Sequence, residues 1–210
     1  MRVCLFGPTG SIGRQVLERA LEREHEVRVI VGDPVRLPDH GGMLTVIAGD
    51  VGDAGKVQRA LGGCDAVIDT LGVRANTSAE VERLLSVTKL IISTMERNNV
   101  RRFLGVAGAA IDAPGDEKGA GYRLAGWFSR LTSRRAQEEK QLEFDLVSAS
   151  GLEWTILRVP FVTDGPLTRT YRTSLAGPPS SRISRADIGY ALVDQLEERA
   201  FVRKAPFIGT

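Results

Sequence analysis

Gly7, Gly10 and Gly13 stand in the run Gly7-Pro8-Thr9-Gly10-Ser11-Ile12-Gly13, and their spacing offers chemistry at the backbone rather than at side chains. Gly7 permits a tight turn, Gly10 lets a phosphate come up to bare backbone, and Gly13 lets a following helix pack closely on the preceding strand. A helix starting here adds its N-terminal amides and dipole, which favour an anion. Thr9, Ser11 and Ile12 fill the remaining positions of this pyrophosphate-binding turn. Asp33 lies twenty residues past Gly13, a distance at which a carboxylate accepts hydrogen bonds from an NAD ribose. Arg14, Arg28 and Arg36 compete with that reading, since a guanidinium pairs bidentately with the 2′-phosphate of NADP. NADP is the expected cofactor, with NAD left open. Arg28, in mid-strand, reads more readily as structural. Asp50 and Val51 are placed to meet adenine, or Asp50 caps its own turn. Leu71, Gly72 and Val73 are small or apolar enough for a dinucleotide to lie across them.

These residues need elements to hold them. Val3 to Phe6 reads as a buried parallel strand, and Gln15 to Glu24 as a helix with Val16, Leu17, Ala20 and Leu21 on one face. Strands follow at Glu26 to Val31, Leu44 to Ala48, Asp65 to Leu71, Arg102 to Ala107 and Trp154 to Arg158. Helices lie between them at Ala54 to Leu61, Ser78 to Asn98 and Tyr122 to Phe144. Right-handed crossovers turn this alternation into an α/β Rossmann fold, a doubly wound parallel sheet of order 3-2-1-4-5-6. Ligands then bind beyond the carboxyl ends of strands one, four, five and six. Residues 1–210 are expected to form one domain. Within it, 159–183 is an irregular, Pro- and Gly-rich substrate-side segment with a short strand at Thr170 to Leu175. Ser184-Arg185-Ala186-Asp187 has the spacing of a capping box, opens a last helix reaching about Glu198, and gives Asp187 a structural task. Pro206 to Gly209 is a possible final strand.

Composition excludes several classes. Apolar residues make up 42% and charged residues 26% of the 210, with a formal charge of +2, so neither nucleic acid nor membrane is indicated as a partner. Cys4 and Cys64 are expected to be free thiols, and with His25 and His40 far apart no metal site is expected. No apolar run reaches membrane-spanning length, and Met1 leads straight into the first strand, so a cytoplasmic protein is expected. Arg123, Arg130, Arg134 and Arg135 are a possible attraction for anionic substrates, although Glu138, Glu139 and Lys140 point to a mixed solvated face. Tyr-x-x-x-Lys, the proton-exchanging pair of alcohol dehydrogenation, is missing: Gly126, Leu175 and Asp194 stand four residues after Tyr122, Tyr171 and Tyr190.

The turn's spacing belongs to the short-chain dehydrogenase/reductase superfamily, and the longer pattern resembles the biliverdin-IXβ reductase, or flavin reductase, family among its atypical, NmrA-like members. The residues that carry the resemblance are Gly7-Pro8-Thr9-Gly10, Val31-Gly32-Asp33-Pro34-Val35-Arg36-Leu37, Gly49-Asp50-Val51, Asp65-Ala66-Val67-Ile68 and Leu71-Gly72-Val73-Arg74. Ser150-Gly151-Leu152, Asp164-Gly165-Pro166-Leu167-Thr168, Arg182-Ile183-Ser184 and Asp187-Ile188-Gly189 extend it through most of the chain. The resemblance implies a monomeric NADPH-dependent reductase passing hydride to a planar acceptor such as a flavin or an open-chain tetrapyrrole. Three departures stand out. Gly32 replaces an Arg before the turn aspartate, moving the 2′-phosphate contact to Arg36 or Arg14. Gly108 replaces a Ser beside the nicotinamide. Phe161 replaces a His, so it either stacks on a planar ring or joins the core. Arg74 matches the family's Leu-Gly-x-Arg and is a substrate-side candidate, or else anchors its loop through a salt bridge. Two further readings stay open: a nucleotide-sensing regulator like the NmrA-like proteins, and an epimerase-type relative, which the short segment after strand six disfavours.

Overall fold

The computed structural model describes residues 1–34, 37, 41–114, 116 and 120–210, with side chains omitted over 120–134. Its centre is a run of apolar strands: β1 (Arg2–Phe6), β2 (Glu26–Val31), β3 (Leu44–Ala48), β4 (Ala66–Asp69), β5 (Arg102–Gly108) and β6 (Glu153–Val159). They pair in parallel in the order β3-β2-β1-β4-β5-β6, as expected. Period-two side chains feed two faces. Cys4, Phe6, Val67, Phe103 and Ile156 pack against α2 (Ala54–Leu61), α3 (Ser78–Arg97) and α4 (Ala120–Ala149). Val3, Leu5, Ile68, Leu104 and Leu157 pack against α1 (Ser11–Glu22) and α5 (Arg185–Asp194). Apolar residues at helical spacing decide which side of each helix turns inward, such as Val16, Leu17 and Ala20 on α1 and Leu84, Ile91 and Met95 on α3.

Beyond β6 the chain is more regular than its composition predicts. Residues 159–183 carry β7 (Phe161–Thr163), β8 (Arg172–Ser174) and the start of β9 (Arg182–Ser184). Strands β7 and β9 pair in parallel as a separate two-stranded sheet. The final strand β10 (Phe207–Gly209) lies parallel to β6, and β8 closes that edge antiparallel to it, so among the described residues the sheet has eight strands. The last helix stops at Asp194, four residues short of the expected end. Its start is as read: Ser184 Oγ accepts from the Asp187 amide at 3.0 Å and donates to the Asp187 carboxylate at 2.8 Å. The same buried carboxylate accepts from the amides of Thr168 and Arg169, both at 2.9 Å, which pins the loop between β7 and β8 to α5. Among the described residues no helix is long and apolar enough to cross a membrane.

Candidate functional site: the dinucleotide edge

Because β1 to β6 are parallel, their carboxyl ends share one edge, and every predicted site segment that the structure describes follows one of them. The glycine turn leaves β1 at the centre. Gly7 has φ +78°, and a Cβ there would stand 2.8 Å from Thr70 Oγ1, so both conformation and space demand glycine. At Gly13 a Cβ would lie 2.0 Å from the Gly7 carbonyl oxygen, which is the close helix-to-turn approach anticipated from the motif. Thr70, absent from the sequence reading, locks the arrangement by donating to Phe6 O at 2.8 Å with Gly7 O at 3.2 Å. Gly10 caps α1 without any side-chain hydrogen bond, whereas Asp53, Thr77 and Ser184 cap α2, α3 and α5 through their side chains. Among the described residues the first-turn amides of α1 therefore have no side-chain cap, which leaves the donor set a phosphate uses. Thr9 and Ile12 are half-buried beside them, and Ser11 is exposed.

On the adenine side, Asp33 lies exposed just past β2. Asp50 makes the turn-capping bond, its Oδ1 accepting from Gly52 N at 2.7 Å, while the residue as a whole is exposed beside Val51. Asp50 and Val51 follow β3, two strands from the glycine turn, roughly 10 Å at ordinary strand spacing. Arg28 is removed from the list of phosphate readers: its guanidinium donates to the Gly62 and Arg59 carbonyls at the end of α2. Arg14 is exposed on the first turn of α1, and Arg36 lies outside the described residues.

On the other side, Leu71, Gly72 and Val73 follow β4, Gly108 ends β5, and Phe161 opens β7 directly after β6. Three strand spacings, roughly 14 Å, separate the glycine turn from Phe161. Phe161 is 76% exposed, which removes it from the core and leaves its ring on the rim. Arg74 is exposed too. Its backbone amide donates to Glu80 Oε1 at 3.3 Å, and its guanidinium charge acts on the same carboxyl. Glu80 is held in turn by a two-pronged contact from Arg83 at 2.9 and 3.0 Å, which draws its carboxyl below the usual range.

Two buried charge sets went unseen in the sequence. Arg158, 1% exposed at the end of β6, donates to Asp116 Oδ2 and Ala205 O, both at 2.7 Å, and its guanidinium lies 3.6 Å above the Phe207 ring centre. It ties the loop after β5 to the sheet. An arginine interrupting an apolar strand was the available signal. Behind β4, Asp69, Glu139 and Glu143 are 1%, 2% and 3% exposed and gather round Lys140. Lys140 pairs with Glu143 and lies 3.8 Å from Glu139. Burial raises all three carboxyls, Asp69 and Glu143 to about 7, and the surrounding carboxylates raise Lys140 against the opposing effect of burial. Glu139 is thus buried and Lys140 half-buried, not the mixed solvated face their sequence suggests, because α4 packs against α3, β5 and β6 and sets this side against the Leu71 carbonyl after β4. Glu138 is exposed as expected. Of the four arginines on α4, Arg135 reaches Ser78 Oγ at 2.7 Å, and the side chains of Arg123, Arg130 and Arg134 lie outside the described set.

A family model described as NAD(P)H-binding matches residues 7–199. A 3-beta-hydroxysteroid dehydrogenase of Mycolicibacterium neoaurum is 31% identical over 126 residues, covering 55% of this chain. The match spans only 34% of that relative's length. Among solved structures, a short-chain dehydrogenase/reductase of Veillonella parvula DSM 2008 in complex with NADP superposes with a TM-score of 0.81 at 21% identity, covering all of this chain and 94% of that one. ChuY, an anaerobillin reductase of Escherichia coli O157:H7, superposes with a TM-score of 0.81 at 19% identity, covering 99% of this chain and 96% of its own. The fold is shared, and the open amides of α1 beside bare backbone at Gly10 fit a dinucleotide.

Proposed function

This chain belongs to the NAD(P)H-binding family, and on that premise we propose that it is a monomeric NAD(P)H-dependent oxidoreductase passing hydride to a planar acceptor, a flavin or an open-chain tetrapyrrole. Bound reduced nicotinamide supplies the hydride. The chain's own residues bind and orient. First-turn amides of α1 take the pyrophosphate, Asp50 and Val51 border adenine, and Leu71–Val73 carry the link toward the acceptor end. NADP is the preferred cofactor, with Arg36 or Arg14 reading its 2′-phosphate.

The observation that carries the acceptor class is Phe161, an exposed ring on the shared edge three strands from the glycine turn. A flat aromatic acceptor stacks on such a surface, with ring pairs contributing about 0.5–1.5 kcal/mol beyond the area they bury. Proton-transfer machinery is sparse there. Gly108 has no side chain, and Tyr171 is unsuited as a base because burial and Asp194, which accepts its hydroxyl at 3.0 Å, push its pKa up. A flavin tolerates this, since protons reach it from water and orientation is the protein's main contribution. Anaerobillin reduction by one structural relative is chemistry of the same kind. A nucleotide-sensing regulator is the second reading, favoured by the same bare rim at Gly108 and Phe161.

Anaerobic oxidation of NADPH and NADH with excess FMN, run beside a fluorescence titration of each nucleotide, separates the readings. Saturable turnover supports the reductase. Tight binding without turnover on FMN or a linear tetrapyrrole supports the sensor, and no binding refutes both.

A further inference from the structure

The buried charges behind β4 hold one peptide segment of the nucleotide edge from within. Lys140 Nζ donates to the Leu71 carbonyl at 2.7 Å, and Asp69 Oδ1 accepts from the Leu71 amide at 2.8 Å. Both backbone polar groups of Leu71 are thereby committed to the interior, one to α4 and one to β4, and Gly72 and Val73 are left at the outer side. Three carboxyls surround one ammonium. Full ionisation would leave two uncompensated negative charges in a space nearly closed to water, which is strongly unfavourable.

We propose that Lys140 and Asp69 form a proton-linked clamp on Leu71–Val73, with Lys140 a positioning residue for the dinucleotide and loss of protons from the surrounding carboxyls weakening nucleotide binding. The clamp rests on the dinucleotide reading given above. The groups facing it are Glu139 and Glu143 on α4, Asp69 on β4 with Cys4 on neighbouring β1, and Glu80 on α3, which Arg83 and Arg74 offset. Ionisation of the carboxyls adds negative charge behind the loop and repels the pyrophosphate. By linkage, bound nucleotide makes the same carboxyls hold their protons more tightly.

The test is the pH dependence of NADH affinity, followed by fluorescence titration. NADH is chosen because the phosphomonoester of NADPH itself titrates near pH 6. Binding should weaken about fivefold or more between about pH 6 and about pH 8.5. Asp69→Asn keeps an oxygen that accepts from Leu71 N–H, so it should bind normally at the lower pH and show a clearly weaker pH dependence than the parent. Lys140→Met combined with Glu143→Gln removes one charge of each sign, and should weaken both nucleotides about tenfold or more at either pH. Affinity independent of pH in the parent chain would overturn the clamp. So would Asp69→Asn copying the parent's profile, or a folded double variant that binds like the parent. If Gly10→Val still abolishes binding in those cases, the dinucleotide site stands and only the clamp falls. A parent chain that binds neither nucleotide would instead remove the site and the clamp together.

Discussion

Gly10→Val separates the anion-binding task of the glycine turn from its structural task. Gly10 has φ −71° and ψ 164°, extended backbone that any residue adopts, and a Cβ built there meets the Gly7 carbonyl oxygen at 3.3 Å and nothing else within 4 Å among the described residues. That oxygen need give by only a few tenths of an ångström, so the expected stability loss is about 1 kcal/mol or less. The cost to binding is larger. An isopropyl group at this position covers the approach to the first-turn amides of α1, and each charge-assisted hydrogen bond forfeited there is worth roughly 1.5–3 kcal/mol. Two such bonds sum to about 3–6 kcal/mol, a rise in Kd of about a hundredfold or more. NADPH titration by protein fluorescence, paired with urea unfolding of the same preparation, reads both quantities. Unchanged NADPH affinity in a variant that folds normally would refute the assignment of the pyrophosphate to this turn. A variant that fails to fold would refute the claim that Gly10 is sterically free.

The companion Gly13→Ala should behave in the opposite way: its Cβ would stand 2.0 Å from Gly7 O, so helix and turn must separate, and urea unfolding should show a loss of about 1–3 kcal/mol. Asp69 and Glu143 have folded-state pKa values raised to about 7, so the folded chain holds more protons than the unfolded one from near pH 4 up to about pH 7. Stability should therefore fall as pH rises through that window and level off above it, by roughly 2 kcal/mol per carboxyl and about 4 kcal/mol for the two together between about pH 5.5 and about pH 8.5. Urea midpoints at the two pH values check this, and Glu143→Gln should flatten the slope. Phe161→Ala should raise the KM for FMN about threefold to tenfold while changing stability by less than about 0.5 kcal/mol, since the ring is exposed. Arg36→Ala should weaken NADPH about tenfold or more and leave NADH nearly unchanged; equal loss for both would indicate general electrostatic steering instead.

The order of the six parallel strands and the glycine turn were legible in the chain because both rest on local rules. Buried parallel strands read as short apolar runs, amphipathic helices repeat at 3.6 residues, and a turn that brings backbone to a phosphate must use glycine where a Cβ would collide. Gly7 and Gly13 carry the contacts their spacing predicts. Ser184 and Asp187 form the box that their three-residue spacing encodes.

Tertiary packing decided the rest, for three physical reasons. Pairing between segments far apart in sequence leaves no local period, so the β7–β9 sheet and the β10–β8 edge were hidden in a stretch dominated by proline and glycine. Exposure of a single aromatic depends on what the fold brings over it. Phe161, an aromatic directly after a buried strand, therefore read more readily as core until β6 and β7 placed it outside. Charge pattern along one helix reports only that helix. Glu139 and Lys140 look like a solvated face, and left water because the fold sets Lys140 against the Leu71 carbonyl, about seventy residues away in the chain, and against the Glu143 carboxylate.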